Sequence, residues 1–110
     1  MKHMLCLILE NGEITADLFS ELSKDGYNAT VLTSKSLKHL LTDPFEDDKI
    51  FINLHHLGDP QYSENSFAYF ILEDEALKNV QDVIRESTDH FKKVKGCMFS
   101  YEIDNFEGSI

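Results

Sequence analysis

The residues most suited to chemistry fall in four short stretches. The first is "FINLHHLGDP", Phe51–Pro60, where His55 and His56 end an apolar run just before a Gly-Asp-Pro turn. Histidine is the commonest metal ligand and titrates near neutral pH. In a strand, however, adjacent side chains point to opposite faces, so His55 and His56 cannot jointly hold one ion. A tetrahedral site needs three or four converging ligands, and the reading is a strand end that binds no metal. The second stretch is "KKVKG", where Lys92, Lys93, Lys95 and Gly96 form the one basic cluster of an acidic chain. Lysines suit phosphate as point charges, and a loop backbone can add N–H donors. The third, "TSKSLKH", carries Ser34, Lys35, Ser36 and Lys38 at the start of a short helix. Its hydroxyls and lysines can face an anion, or can simply cap the helix and cover its apolar side.

The fourth stretch, "EDE" at Glu73–Glu75, opens a helix, where carboxylates favour the dipole. That structural role is preferred to a pair of catalytic acids. Cys6 and Cys97 lie in the apolar runs "MLCLIL" and "GCMFSY", with no CxxC spacing and no neighbouring base. They read as buried free thiols of a reducing compartment. No GxSxG, HExxH or P-loop pattern occurs. The chemistry therefore points to a binding protein without catalytic groups or a cofactor.

The chain that must position these residues has 110 residues, enough for one domain over 1–110 with one core. Ten basic and 20 acidic residues leave a net charge of −10. This opposes binding to nucleic-acid backbones and to anionic membrane surfaces. The longest apolar run is too short to cross a bilayer, and no signal-peptide pattern opens the chain, so a cytoplasmic location is expected.

Element by element, "MLCLIL" is a strand buried on both faces, because it is continuous rather than alternating. "NGE" is a turn. Thr15 is placed to cap a helix carrying Leu18, Phe19 and Leu22, which Gly26 ends. Tyr27–Ser34 is the second strand. A short helix with Leu37, Leu40 and Leu41 follows, then an extra strand over "KIFINLHHL". "SFAYFILE" returns as a strand, and Asp74 caps a helix with Leu77, Val80, Val83 and Ile84 on one face. The last strand is "CMFSYEI".

The order is β-α-β, an arm, then β-α-β. The expected fold class is α+β and ferredoxin-like: an antiparallel sheet, two helices on one face, and an extended arm between strands two and three. Helices cover only one face, yet "MLCLIL" and "SFAYFIL" are apolar on both. Self-association must bury the other.

With this order, the opening "MLCLILENGEITADLFSELSKDGYNATVL", the long arm and the ending "GCMFSYEIDNFEG", the chain resembles the PII-like signalling proteins. The resemblance implies a homotrimer with sheets facing inward and a small anionic ligand, usually a nucleotide, between subunits. It also implies an arm, the T-loop of that family, that signals to a protein target. By position, Thr30, Ser34, Lys35, Ser36, Lys38, Lys93, Lys95 and Gly96 would line the cleft. The chain departs from the family where Gly96 is followed by Cys97 instead of a lysine, and where it ends "EGSI" without arginines. Two other readings are a ligand-free trimeric docking module and a metal-binding trimer of the divalent-cation-tolerance type.

Overall fold

The residues of β1 (Lys2–Glu10) organise the chain, since β1 is a central strand, paired on both sides. The computed structural model describes residues 1–34 and 64–110. The other described elements are α1 (Glu13–Lys24), β2 (Thr30–Ser34), β3 (Asn65–Glu73), α2 (Asp74–Thr88) and β4 (Gly96–Ile103). The sheet runs β2-β3-β1-β4, antiparallel throughout. The ferredoxin-like α+β expectation holds. The expected arm helix, the strand over "KIFINLHHL", and His55 and His56 lie outside the described residues.

Alternation sorts the sheet into two faces. Leu5, Leu7 and Leu9 pair with Phe70, Ala68 and Ser66, and all six are buried. Leu18 and Leu22 of α1 and Val80 and Ile84 of α2 complete this core. Each fully buried aliphatic side chain contributes roughly 1.5–3 kcal/mol. The opposite face carries Met4, Cys6 and Ile8 of β1, Phe67, Tyr69 and Ile71 of β3, and Leu32 of β2. From β4 come Cys97, Phe99, Tyr101 and Ile103. Neither α1 nor α2 covers it, and among the described residues Leu32 is 55% exposed, Phe99 49% and Tyr101 52%. Cys6 is buried among its neighbours as expected, but Cys97 is exposed because it sits on this open face at an edge strand.

Three element ends differ from the sequence expectation, each for a local reason. Helix α1 starts at Glu13, because the Ala16 N–H already bonds Gly12 O at 3.0 Å. Thr15 is inside the helix, and its hydroxyl turns back to Glu10 O at 2.7 Å. Strand β2 starts at Thr30, because the Tyr27 N–H reaches back to Leu22 O and the Gly26 N–H to Ser23 O. Gly26, at φ 89°, closes the helix there as the left-handed residue of a Schellman motif. Asp74 is the first helical residue and not a cap, since β3 runs straight into α2 through an extended Glu73.

The exit from α2 is less ordinary. Asp89, His90 and Phe91 have φ of 50°, 55° and 62°. A left-handed non-glycine costs about 1–2 kcal/mol per residue, so the turn needs support. Thr88, fully buried, supplies it. Its hydroxyl donates to Ile84 O at 2.8 Å and accepts from the Phe91 N–H at 3.0 Å. Its carbonyl accepts from the N–H groups of Lys92 and Lys93, both at 3.0 Å. Phe91 packs against the core.

Replacing Thr88 with Val keeps the shape but leaves the half-buried Phe91 N–H without its acceptor. We expect a loss of about 1–3 kcal/mol in urea unfolding, with Thr88→Ser retaining most of the stability. Equal stability of the Val and Ser variants would show that the hydroxyl does not hold the turn.

Candidate functional site

Antiparallel pairing brings four chain segments to one end of the sheet. Glu10 closes β1, Ser34 closes β2, Asn65 opens β3 and Gly96 opens β4. A run of hydrogen bonds ties them together. The Glu10 N–H donates to Lys95 O at 2.9 Å, and the Asn11 N–H to Glu64 O at 3.0 Å. The Glu64 N–H donates to Ser34 O at 3.0 Å. The Ser66 hydroxyl donates to Asn11 Oδ1, and Ser34 Oγ reaches Asn65 O at 3.4 Å. Ser34 and Glu64, on either side of segment 35–63, are thus joined to each other and to the β1–α1 turn.

A cleft of about 290 Å³ opens beside this network, between the β1–α1 turn (Glu10 to Thr15) and Lys93 and Val94 ahead of β4. It sets Lys93 across from Glu10 and Glu13. A second hollow, about 190 Å³, lies between α1 and the start of β2, lined by Phe19, Tyr27, Val31 and Phe70. Its lining among the described residues includes none of the anticipated ligand residues.

The anticipated site residues separate into three groups. Ser34, Lys93, Lys95 and Gly96 share the sheet end, but on opposite edges. Three interstrand steps, roughly 14 Å, separate β2 from β4. Thr30 lies at the far end of β2, opposite Tyr69, about 13 Å along the strand from Ser34. Lys35, Ser36 and Lys38 lie outside the described residues. Among the described residues of one subunit, therefore, these groups form no compact cluster.

Gly96 has a role of its own. A Cβ there would run into Ile8 O and come within 2.7 Å of Leu9 Cδ2. Only glycine lets β4 lie this close on β1. Sequence reasoning missed Asn11 and Glu64, which anchor the ends of the arm. The Asn-Gly pair was the available signal for Asn11, and nothing in local sequence marks Glu64.

The shifted carboxylates lie at the other end of the sheet. Glu73 is held below the usual range by the N-terminal ammonium of Met1 and by Lys2 Nζ, at 3.1 and 3.3 Å. Asp74 is lowered by its hydrogen bond from His3. Lys2 also lies 5.0 Å from the Phe106 ring, which pins the tail after β4. These are surface pairs that fasten the ends of elements, while Asp74 and Glu75 stand in the first turn of α2, as the helix-opening reading of "EDE" has them. Burial raises the Cys6 thiol, which favours its inert protonated form.

No protein-family model matches the chain, and no curated protein is significantly similar in sequence. Solved structures do match its shape. A functionally unknown protein from Pediococcus pentosaceus superposes with a TM-score of 0.61 at 13% identity, over 98% of this chain and 97% of its own. CPII from Thiomonas intermedia, solved bound to ADP, AMP and acetate, superposes with a TM-score of 0.55 at 16% identity, over 93% of this chain and 85% of its own. The chain has a PII-like fold.

Gly96→Ala should lower stability by about 1–3 kcal/mol with no ligand present, from overpacking alone. A shifted urea midpoint would show it. An unchanged midpoint would return Gly96 to a purely ligand-facing role.

Proposed function

We propose that this PII-like chain forms a homotrimeric regulatory protein of a reducing compartment, the cytoplasm. In this reading it binds a small anionic ligand, a nucleotide, between subunits and signals to a protein target through segment 35–63. The observation that carries the reading is the sheet end. Both flanks of that segment are hydrogen-bonded there, through Ser34 and Glu64, to the turn that faces Lys93. A ligand charge at this end is one bond away from the segment's anchors.

The trimer resolves the separation of the two edges. Ser34 and Lys93–Gly96 are too far apart to grip one phosphate within a subunit. Copies packed by their open apolar faces set the β2 edge of one subunit toward the β4 edge of the next. Ser34, Lys35, Ser36 and Lys38 then come from one copy, and Lys93, Lys95 and Gly96 from its neighbour, with Thr30 reaching the more distant part of the ligand. Lysines supply charge without fixed geometry, and serine hydroxyls donate to phosphate oxygens. Nucleotide-bound CPII shares the fold, which supports this ligand class. The role is regulatory: binding energy shifts the state of the arm and drives no bond-making step.

A thermal-shift titration with AMP, ADP, ATP and cyclic dinucleotides tests the ligand. A ligand at 100 times its Kd stabilises the folded state by about 2.7 kcal/mol. We expect at least one nucleotide to raise Tm, and Lys93→Ala/Lys95→Ala to abolish the rise while leaving the unliganded Tm unchanged. No shift with any nucleotide at millimolar concentration would overturn the ligand and leave a docking module.

A further inference from the structure

The one Asn-Gly pair of the chain, Asn11-Gly12, sits in the turn between β1 and α1. We propose that it is a site of spontaneous covalent modification, where Asn11 becomes aspartate and isoaspartate. The reaction is internal. The Gly12 backbone nitrogen loses its proton to solvent base and attacks Cγ of Asn11. The new N–C bond closes a five-membered succinimide, and the side-chain nitrogen leaves as ammonia with a proton from water. One water molecule then opens the ring at either carbonyl. Opening at one carbonyl gives aspartate, and at the other a backbone that runs through the former side chain.

Features of the turn favour that path. Asn11 and Gly12 are exposed to water and border the open cleft. Gly12 has no Cβ, and nothing lies within 4 Å of where one would stand, so the ring can close without a clash. No backbone carbonyl among the described residues accepts from the Gly12 N–H, which leaves that nitrogen open to base. The Ser66 hydroxyl donates to Asn11 Oδ1. This draws electron density from Cγ and supports the oxyanion formed on attack. Lys93, across the cleft, adds a positive charge on the same side.

The chain contains its own comparison. Asp25-Gly26 can close the same ring, but the Gly26 N–H is engaged by Ser23 O at 3.0 Å and the residue is held at φ 89°. Its nitrogen is protected where that of Gly12 is open. The product also matters more at Asn11. A new carboxylate arises beside Glu10 and Glu13. The isoaspartate form inserts a methylene between β1 and the first turn of α1. Both changes fall on the residue whose N–H bonds Glu64 O and whose Oδ1 takes the Ser66 hydroxyl.

The test is to hold the purified full chain in warm, mildly alkaline buffer and map its peptides by mass over days. The peptide containing Asn11 should gain about one dalton, with isoaspartate detected by an isoaspartyl methyltransferase, while the Asp25-Gly26 site stays unaltered. In heavy-oxygen water the product should take up one heavy oxygen atom. Gly12→Ala has open space and an extended backbone to accommodate it, so it should fold normally and convert roughly ten-fold more slowly or less, because its Cβ hinders ring closure. The proposal fails if Asn11 keeps its amide throughout. It also fails if Gly12→Ala converts as fast as the original chain.

Discussion

Everything in this structure depends on a central strand that is apolar on both sides. β1 presents Leu5, Leu7 and Leu9 to the helices and Met4, Cys6 and Ile8 to the opposite face. The two helices satisfy the first set completely. The second set, continued by Phe67, Tyr69 and Ile71 on β3 and by Phe99, Tyr101 and Ile103 on β4, has no covering element among the described residues. An exposed apolar face on this scale marks an association surface. The helix-covered half defines the fold, and the open half is left without cover from α1 or α2.

The same pairing dictates where the two ends of the arm are held. Because β1 and β3 are antiparallel over nine residues each, the end of β1 and the start of β3 meet at one place. Asn11 and Glu64 are hydrogen-bonded there, and Glu64 in turn holds Ser34. The arm's two flanks are therefore brought together by strand register and joined there by their own hydrogen bonds. Lys93 and Lys95 reach the same end only because α2 is stopped by the left-handed turn at Asp89–Phe91. Thr88 is the buried residue that allows this stop.

Much of the architecture was legible in sequence, for physical reasons. Continuous apolar runs identified β1 and β3 as two-sided strands, and helical spacing identified Leu18, Leu22, Val80 and Ile84 as core. What could not be read were effects of three-dimensional approach. Cys97 looked buried because apolar neighbours surround it in the chain, yet face assignment alone does not say whether a face is covered. Gly96 was read for its place before a strand, and its close approach to Ile8 emerges only from strand pairing. Asp89 and His90 belong to types that tolerate left-handed backbone, but Phe91 does not, and no local signal announces three such residues together. Of the candidate ligand residues, Ser34, Lys93, Lys95 and Gly96 lie at one sheet end, which only strand pairing reveals. Thr30 fell elsewhere because four strand residues carry it to the other end of β2.

The central claim is that the open sheet face is the surface on which copies of this chain join. The direct measurement is the mass of the native particle in solution at micromolar concentration, by light scattering or native mass spectrometry. The account predicts three times the 12.7 kDa chain mass, falling to a single chain when Phe99 and Tyr101 are both replaced by glutamate. A stable particle of 12.7 kDa for the unaltered protein would contradict it.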